Sequence, residues 1–155
     1  MGVYTKPFTV SMELVDVEPE FDLYDQEWPI YTHQLQLPPA KFVHGTGKRR
    51  GLAVNCIVSG GCIVSGAQLR GCLLFSNVRT HSYSKITDSV IMPDVEIHRD
   101  SKIHRAIIDT GCVIPKGSEI GLDRAADEAQ GFRVTENGIT LVTPDALGQK
   151  LHHFR

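Results

Sequence analysis

Three histidines share a regular placement among the residues that could act as base, ligand or nucleophile. His81 and His98 are seventeen residues apart, and each follows a position of an aliphatic series running through the middle of the chain. His104 holds the same phase one step further on, directly after Ile103. Imidazole changes charge near neutral pH and binds borderline metals through one ring nitrogen, so such residues suit a general base or a metal centre. A zinc centre needs three convergent protein ligands. The spacing offers two stacked histidines and a third around a corner. The position after an inward aliphatic ordinarily faces water, so solvated surface histidines are the plainer reading.

Cys56, Cys62, Cys72 and Cys112 include no C-x-x-C pair, which suits reduced thiols in a cytoplasmic protein better than a disulfide scaffold. Cys56, Cys62 and Cys112 fall on a recurring small position where a thiol packs as a compact hydrophobe. Cys72 falls off that position and is expected at the surface. The run Gly45-Thr46-Gly47-Lys48-Arg49-Arg50 superficially suggests a phosphate loop. It lacks the four-residue gap and the Gly-Lys-Ser/Thr ending that cradle phosphates, so it reads as a mobile surface loop. Asp22, Asp25, Glu27 and the acids at 123–128 read as surface charge. No Ser-His-Asp order and no H-E-x-x-H motif occurs, and no local motif builds a self-contained active site.

The elements that position these residues follow from an internal repeat. From Leu52 onward an aliphatic residue recurs every five or six positions: Val58, Val64, Leu69, Leu74, Ile86, Ile91, Ile97, Ile103, Ile108, Ile114 and Ile120, with Thr80 as the one break. Leu52, Leu69, Ile86, Ile103 and Ile120 are spaced by seventeen, as two six-residue steps and one five-residue step. Three short faces per turn satisfy that arithmetic, with parallel strands stacked about 4.8 Å apart and aliphatic columns inside. A second inward set is expected four residues after each aliphatic, including Leu73, Val90 and Ile107. The fold class is therefore all-β: a parallel β-helix of about four coils over 52–121, left-handed as in known folds with this hexapeptide repeat.

The flanks differ. Residues 1–51 read as an irregular arm, with one or two helical turns at Ser11–Val17 ended by Pro19. Its Phe21, Leu23, Tyr24, Trp28, Ile30, Tyr31 and Phe42 must pack against the chain's own domain or a partner. Residues 122–155 read as a cap over the open strand edge: a short helix at 123–129, a hairpin over 132–142 turning at Asn137-Gly138, and a last short helix from Thr143-Pro144. At 155 residues the chain holds one domain with an arm. Its net charge of −2, from 16 Lys+Arg against 18 Asp+Glu, argues against a nucleic-acid surface. No stretch approaches the roughly 18 apolar residues of a membrane span, and no signal peptide opens the chain.

Several words in the sequence carry a resemblance. Leu23-Tyr24-Asp25, Trp28-Pro29-Ile30, Pro38-Pro39-Ala40-Lys41-Phe42-Val43, Val58-Ser59-Gly60-Gly61-Cys62, Leu73-Leu74-Phe75, Val113-Ile114-Pro115 and Gly138-Ile139-Thr140-Leu141-Val142-Thr143 are among them. Together they resemble the C-terminal region of bacterial glucose-1-phosphate adenylyltransferase (ADP-glucose pyrophosphorylase) over residues 12–147. The resemblance implies an enzyme that makes ADP-glucose and pyrophosphate from ATP and glucose 1-phosphate with magnesium, in glycogen synthesis. It places catalysis in a nucleotidyltransferase domain that these residues do not contain, and gives the solenoid subunit contacts and effector binding. A regulatory and oligomerisation domain, inactive alone and without its own cofactor, is the resulting expectation. Its expected partners are further copies of itself and a nucleotidyltransferase domain. Basic effector contacts of the family fall opposite Asn77, Thr110, Pro144 and Gly148, none of them basic, which leaves Arg79, Arg105 and Arg133 as effector-binding candidates. The alternative is a self-standing hexapeptide-repeat acyltransferase or metal enzyme with an intersubunit site at His81, His98 or His104.

Overall fold

The computed structural model describes residues 5–20, 22–27, 35–47 and 49–150. Phe21, Trp28, Ile30, Tyr31 and Lys48 lie outside them. Three parallel sheets form the sides of a solenoid. The first face stacks Lys41–Val43, Ile63–Ser65, Arg79–Thr80, Glu96–Ile97 and Val113–Ile114. The second stacks Leu52–Val54, Gln68–Arg70, Lys85–Thr87, Lys102–His104 and Glu119–Ile120. The third stacks Ile57–Val58, Leu73–Leu74, Val90–Ile91, Ala106–Ile108 and Thr140–Val142, with Arg133–Val134 antiparallel at its end. Lys41–Val43 lies in the segment expected as arm, yet it pairs in parallel with Ile63–Ser65.

Strands of two or three residues cannot turn a corner by twist alone. At each corner from Asn55 to Gly117 the residue three before the inward member of the column has positive φ. Gly61, Gly66, Gly71, Gly111 and Gly117 take this place, as do Asn55, Asn77, Asp88, Asp94 and Asp100. These are the residue types that enter the left-handed region at least cost. Tyr83 (φ 68°) and Arg105 (φ 46°) are the exceptions.

The register corrects the expected second inward set. The small inward residue always stands two before the main aliphatic. Cys72, Ser89 and Ala106, all 0% exposed, fill that place on the third face. Leu73, Val90 and Ile107 instead point outward. Cys72 is thus buried, not exposed as its apparent phase suggested. The same correction moves the first inward residue of the second face from Leu52 to Ala53, which pairs with Leu69; Leu52 itself is 43% exposed.

Small polar residues suit this inner position because corner carbonyls converge there. The Ser84 hydroxyl donates to the His98 carbonyl at 2.8 Å, and Ser101 donates to both His98 and Pro115 carbonyls. The Cys62 and Cys72 thiols donate to carbonyls of Phe75 and Arg70. Each gives a buried hydroxyl or thiol an acceptor, as burial of a polar group requires. Among the described residues, buried Thr80 is left with an unpartnered hydroxyl, stacked between Val64 and Ile97.

The outward apolar row of the third face explains the N-terminal helix. A helix runs over Thr5–Glu13, earlier than the turns expected at Ser11–Val17. Phe8 and Met12, one turn apart, pack on Leu73, Val90, Ile107 and Ile139. Contact with this row, more than local propensity, selects the helical segment. The arm therefore packs, in part, on its own domain.

The cap closes the other end. Asp123 N-caps the helix Arg124–Ala129. Asp127, expected at the surface, is 1% exposed and accepts from the Gly121 amide and the Thr140 hydroxyl, both at 2.8 Å. One carboxylate thereby ties the last coil to the hairpin. Gly121 (φ 76°) has no alternative here, since a Cβ would collide with the His104 carbonyl. Thr140–Val142 pairs in parallel with Ala106–Ile108, so the hairpin is also the last rung of the third face. The final helix expected from Thr143 is a run of turns closed by bonds such as Gly148 N–H to the Asp145 carbonyl. Beyond it, the Gln149 amide bonds both backbone groups of Val113, capping an open rung of the first face. Gly45–Thr46 and Arg49–Arg50, expected as a loop, pair as a small antiparallel ribbon, and Arg49 anchors it by donating to the Ser82 hydroxyl at 2.9 Å.

Two substitutions in the columns should act in opposite directions. Ile103→Asp should prevent folding, because it puts an unpaired carboxylate inside a dry column. Thr80→Val should raise unfolding free energy by about 1–2 kcal/mol in urea melts, since it removes the unpartnered hydroxyl at equal volume. An unaltered melt for either variant would contradict the inward register.

Candidate functional site

The outer faces differ in chemistry. The third is apolar beneath the helix, and the second carries charged pairs such as Lys102–Glu119 at 2.7 Å. The first gathers the imidazoles. Outward residues flank each inward one, so the ladder aligns Ile63, Arg79, Glu96 and Val113 in one row. His81 and His98, following Thr80 and Ile97, stand in the next row. Their amides bond the Ile97 and Ile114 carbonyls at 2.9 and 3.0 Å, which fixes both backbones.

The two rings stack as the spacing predicted, with centroids 5.1 Å apart and planes within 5°. His81 Nε2 donates to Glu96 Oε1 at 2.7 Å. This hydrogen bond is the main reason the Glu96 carboxyl is held below the usual carboxylate range; burial opposes it, and the charges of His98, His81 and Arg79 assist. His81, Glu96 and His98 are all half-buried, and one ligating atom from each lies within 4.8 Å of the others. Spacing alone missed Glu96. The available signal was that Glu96 and His98 straddle the inward Ile97 and must therefore leave the sheet on the same side.

His104 stays apart on the second face, where Nδ1 meets the Thr87 hydroxyl at 2.8 Å and Asp88 lies 3.9 Å away. Arg79 is exposed on the first face and lines a groove of about 620 Å³ with Asn77, Asp94, Glu96 and Leu35. Arg105 donates from Nη2 to the Asn137 carbonyl at 3.0 Å, clamping the hairpin turn. Arg133 lies on the hairpin strand opposite Leu141. Arg79 thus sits on a different face from Arg105 and Arg133. Burial pushes the Cys112 thiol up to about 12, and Cys62 is raised by the same cause. Cys72, hydrogen-bonded to Cys56 and buried, is raised as well.

A three-faced parallel coil with a left-handed residue at each corner and an aliphatic column behind each face defines a hexapeptide-repeat solenoid. The chain belongs to the family described as GlmU-like, C-terminal hexapeptide, which it matches over residues 38–142. Over all 155 residues it is 54% identical to glucose-1-phosphate adenylyltransferase of Methylococcus capsulatus, and 51% identical to that of Nitrosospira multiformis. Over 149 residues it is 55% identical to the enzyme of the same name from Alteromonas mediterranea. The chain spans 36%, 36% and 35% of the lengths of these relatives. The resemblance read from the sequence to the C-terminal region of this adenylyltransferase is thus borne out.

The depressed Glu96 carboxyl has a stability consequence. On acidification the unfolded chain takes up this proton first, so the Glu96 contribution is present above the unfolded pKa and is lost as pH falls through the folded one. Glu96→Gln should therefore flatten the acid limb of the urea midpoint plotted against pH. Parallel acid limbs in the two proteins would rule out the His81–Glu96 bond.

Proposed function

We propose that the chain is the regulatory and assembly domain of a glucose-1-phosphate adenylyltransferase, acting on a nucleotidyltransferase domain that forms ADP-glucose from ATP and glucose 1-phosphate. The observation that carries this reading is identity above half along the whole chain to about a third of such enzymes. The interior accords with it, since the columns that hold Leu69, Ile86, Ile103 and Ile120 are filled by buried aliphatic side chains.

Magnesium and ATP belong to the other part of the enzyme on this reading. Magnesium prefers an octahedron of oxygens, whereas the convergent set among the described residues is two imidazoles and one carboxylate. Gly45–Thr46 and Arg49–Arg50 pair as an antiparallel ribbon, a different shape from a phosphate loop between a strand and a helix. Assembly would use further copies of the chain. Exposed apolar residues such as Leu52, Val54 and Phe42 near the first coil are suited to that contact. Arg79, in its groove, remains the effector-binding candidate best placed to meet an anion, while Arg105 is committed to the hairpin. No helix among the described residues is long and apolar enough to cross a membrane, and a cytoplasmic location accords with the proposed role.

The test is a domain exchange. These 155 residues replace the matching segment of the Methylococcus capsulatus enzyme, and pyrophosphate release and sedimentation are measured for the chimera and for the chain alone. The chimera should assemble and turn over, and the chain alone should self-associate without releasing pyrophosphate. A chimera that neither assembles nor turns over, or turnover by the chain alone, would overturn the proposal.

A further inference from the structure

We infer that His81, Glu96 and His98 form a binding site for a divalent transition cation of the zinc class. The site lies on the outer surface of the first face, and the inference does not depend on the assembly role proposed above. Two imidazoles and one carboxylate make a donor set that borderline metals prefer and that magnesium or calcium does not. The three ligating atoms already lie within 4.8 Å of one another. Tetrahedral zinc with bonds of about 2.0–2.1 Å holds its ligands roughly 3.3 Å apart. The His81–Glu96 contact of 2.7 Å must open slightly to reach that spacing, and the widest separation must close. Both changes are rotations of half-buried side chains, and the two parallel rings must also tilt out of their stack so that each nitrogen lone pair, which lies in its ring plane, points at one ion.

The ladder supplies the preorganisation. His81 and His98 are fixed one rung apart by the amides that bond the Ile97 and Ile114 carbonyls, and Glu96 is fixed to the same side by the inward turn of Ile97. The ladder thus places the three backbones, and binding still has to fix the side-chain torsions. A cation also resolves an electrostatic awkwardness of the stack. Two parallel imidazoles 5.1 Å apart repel when both are protonated, whereas both bind a metal when neutral. Arg79 opposes the cation from the neighbouring row, but it is exposed and can turn to solvent. A three-ligand zinc site leaves a fourth position, which would take water or an anion.

The experiment is calorimetric titration of the metal-free full chain with zinc chloride. It is repeated on His98→Gln, Glu96→Gln and, as a control on the second face, His104→Gln, each checked for an unchanged far-ultraviolet spectrum. One zinc per chain is expected to bind saturably. His98→Gln should weaken it at least about 100-fold and Glu96→Gln at least about tenfold, as expected for loss of a protein ligand. His104→Gln should leave it unaltered. Cobalt(II) in place of zinc should show no thiolate charge-transfer band. Absence of saturable binding, equal affinity in the His98→Gln and unaltered proteins, or a thiolate band placing the metal on a cysteine would each overturn the site.

Discussion

The structure depends on one constraint: every backbone group between the columns must be paired with the coil above and below, while branched side chains fill the axis. Parallel rungs meet the first demand, since amides such as those of His81, Lys85 and Glu96 each find a carbonyl one coil further on. Val64, Leu69, Leu74, Ile86, Ile91, Ile97, Ile103, Ile108, Ile114 and Ile120 meet the second. The interior is then saturated, and chemistry is confined to the outer faces and the ends. This accounts for a domain whose ionisable residues are plentiful yet build no buried reaction centre among the described residues.

The three outer faces solve different problems with one backbone. On the third, apolar outward residues require a lid, and the N-terminal helix provides it through Phe8 and Met12. On the second, polar and mostly basic outward residues such as Arg70, Lys85 and Lys102 keep the face wet beyond its first strand. On the first, histidine recurring at one phase produces a stack, because parallel register brings residues seventeen apart into contact. The ends are where the solenoid is most exposed to unwanted pairing. Asp127, the hairpin and Gln149 each close part of the C-terminal end with a specific hydrogen bond.

A good part of this was legible in the residues themselves. The seventeen-residue recurrence ending in Ile86, Ile103 and Ile120 implies three faces and parallel stacking, and it correctly stacks His81 on His98. The Asn137-Gly138 turn was likewise visible. Reading failed where five-residue steps shorten a face. Counting four forward from an aliphatic lands on Leu73, Val90 and Ile107, while counting two back from the next one lands on Cys72, Ser89 and Ala106. Apolar character does not distinguish the two counts, because the outward row is also buried, beneath a helix. The corner residues would have decided it, since Gly71, Asp88 and Arg105 mark the left-handed position three before the inward one.

Local periodicity therefore determined the winding, since side-chain direction in a short strand depends only on counting from the corner. The amino-acid order also carried the likeness to glucose-1-phosphate adenylyltransferase. Tertiary structure alone decided what lies outside the repeat: that Asp127 is buried between the last coil and the hairpin, and that the arm's helix covers Thr5–Glu13. Those contacts join residues whose separation in the chain has no fixed period, so they exist only once packing has brought distant rungs together.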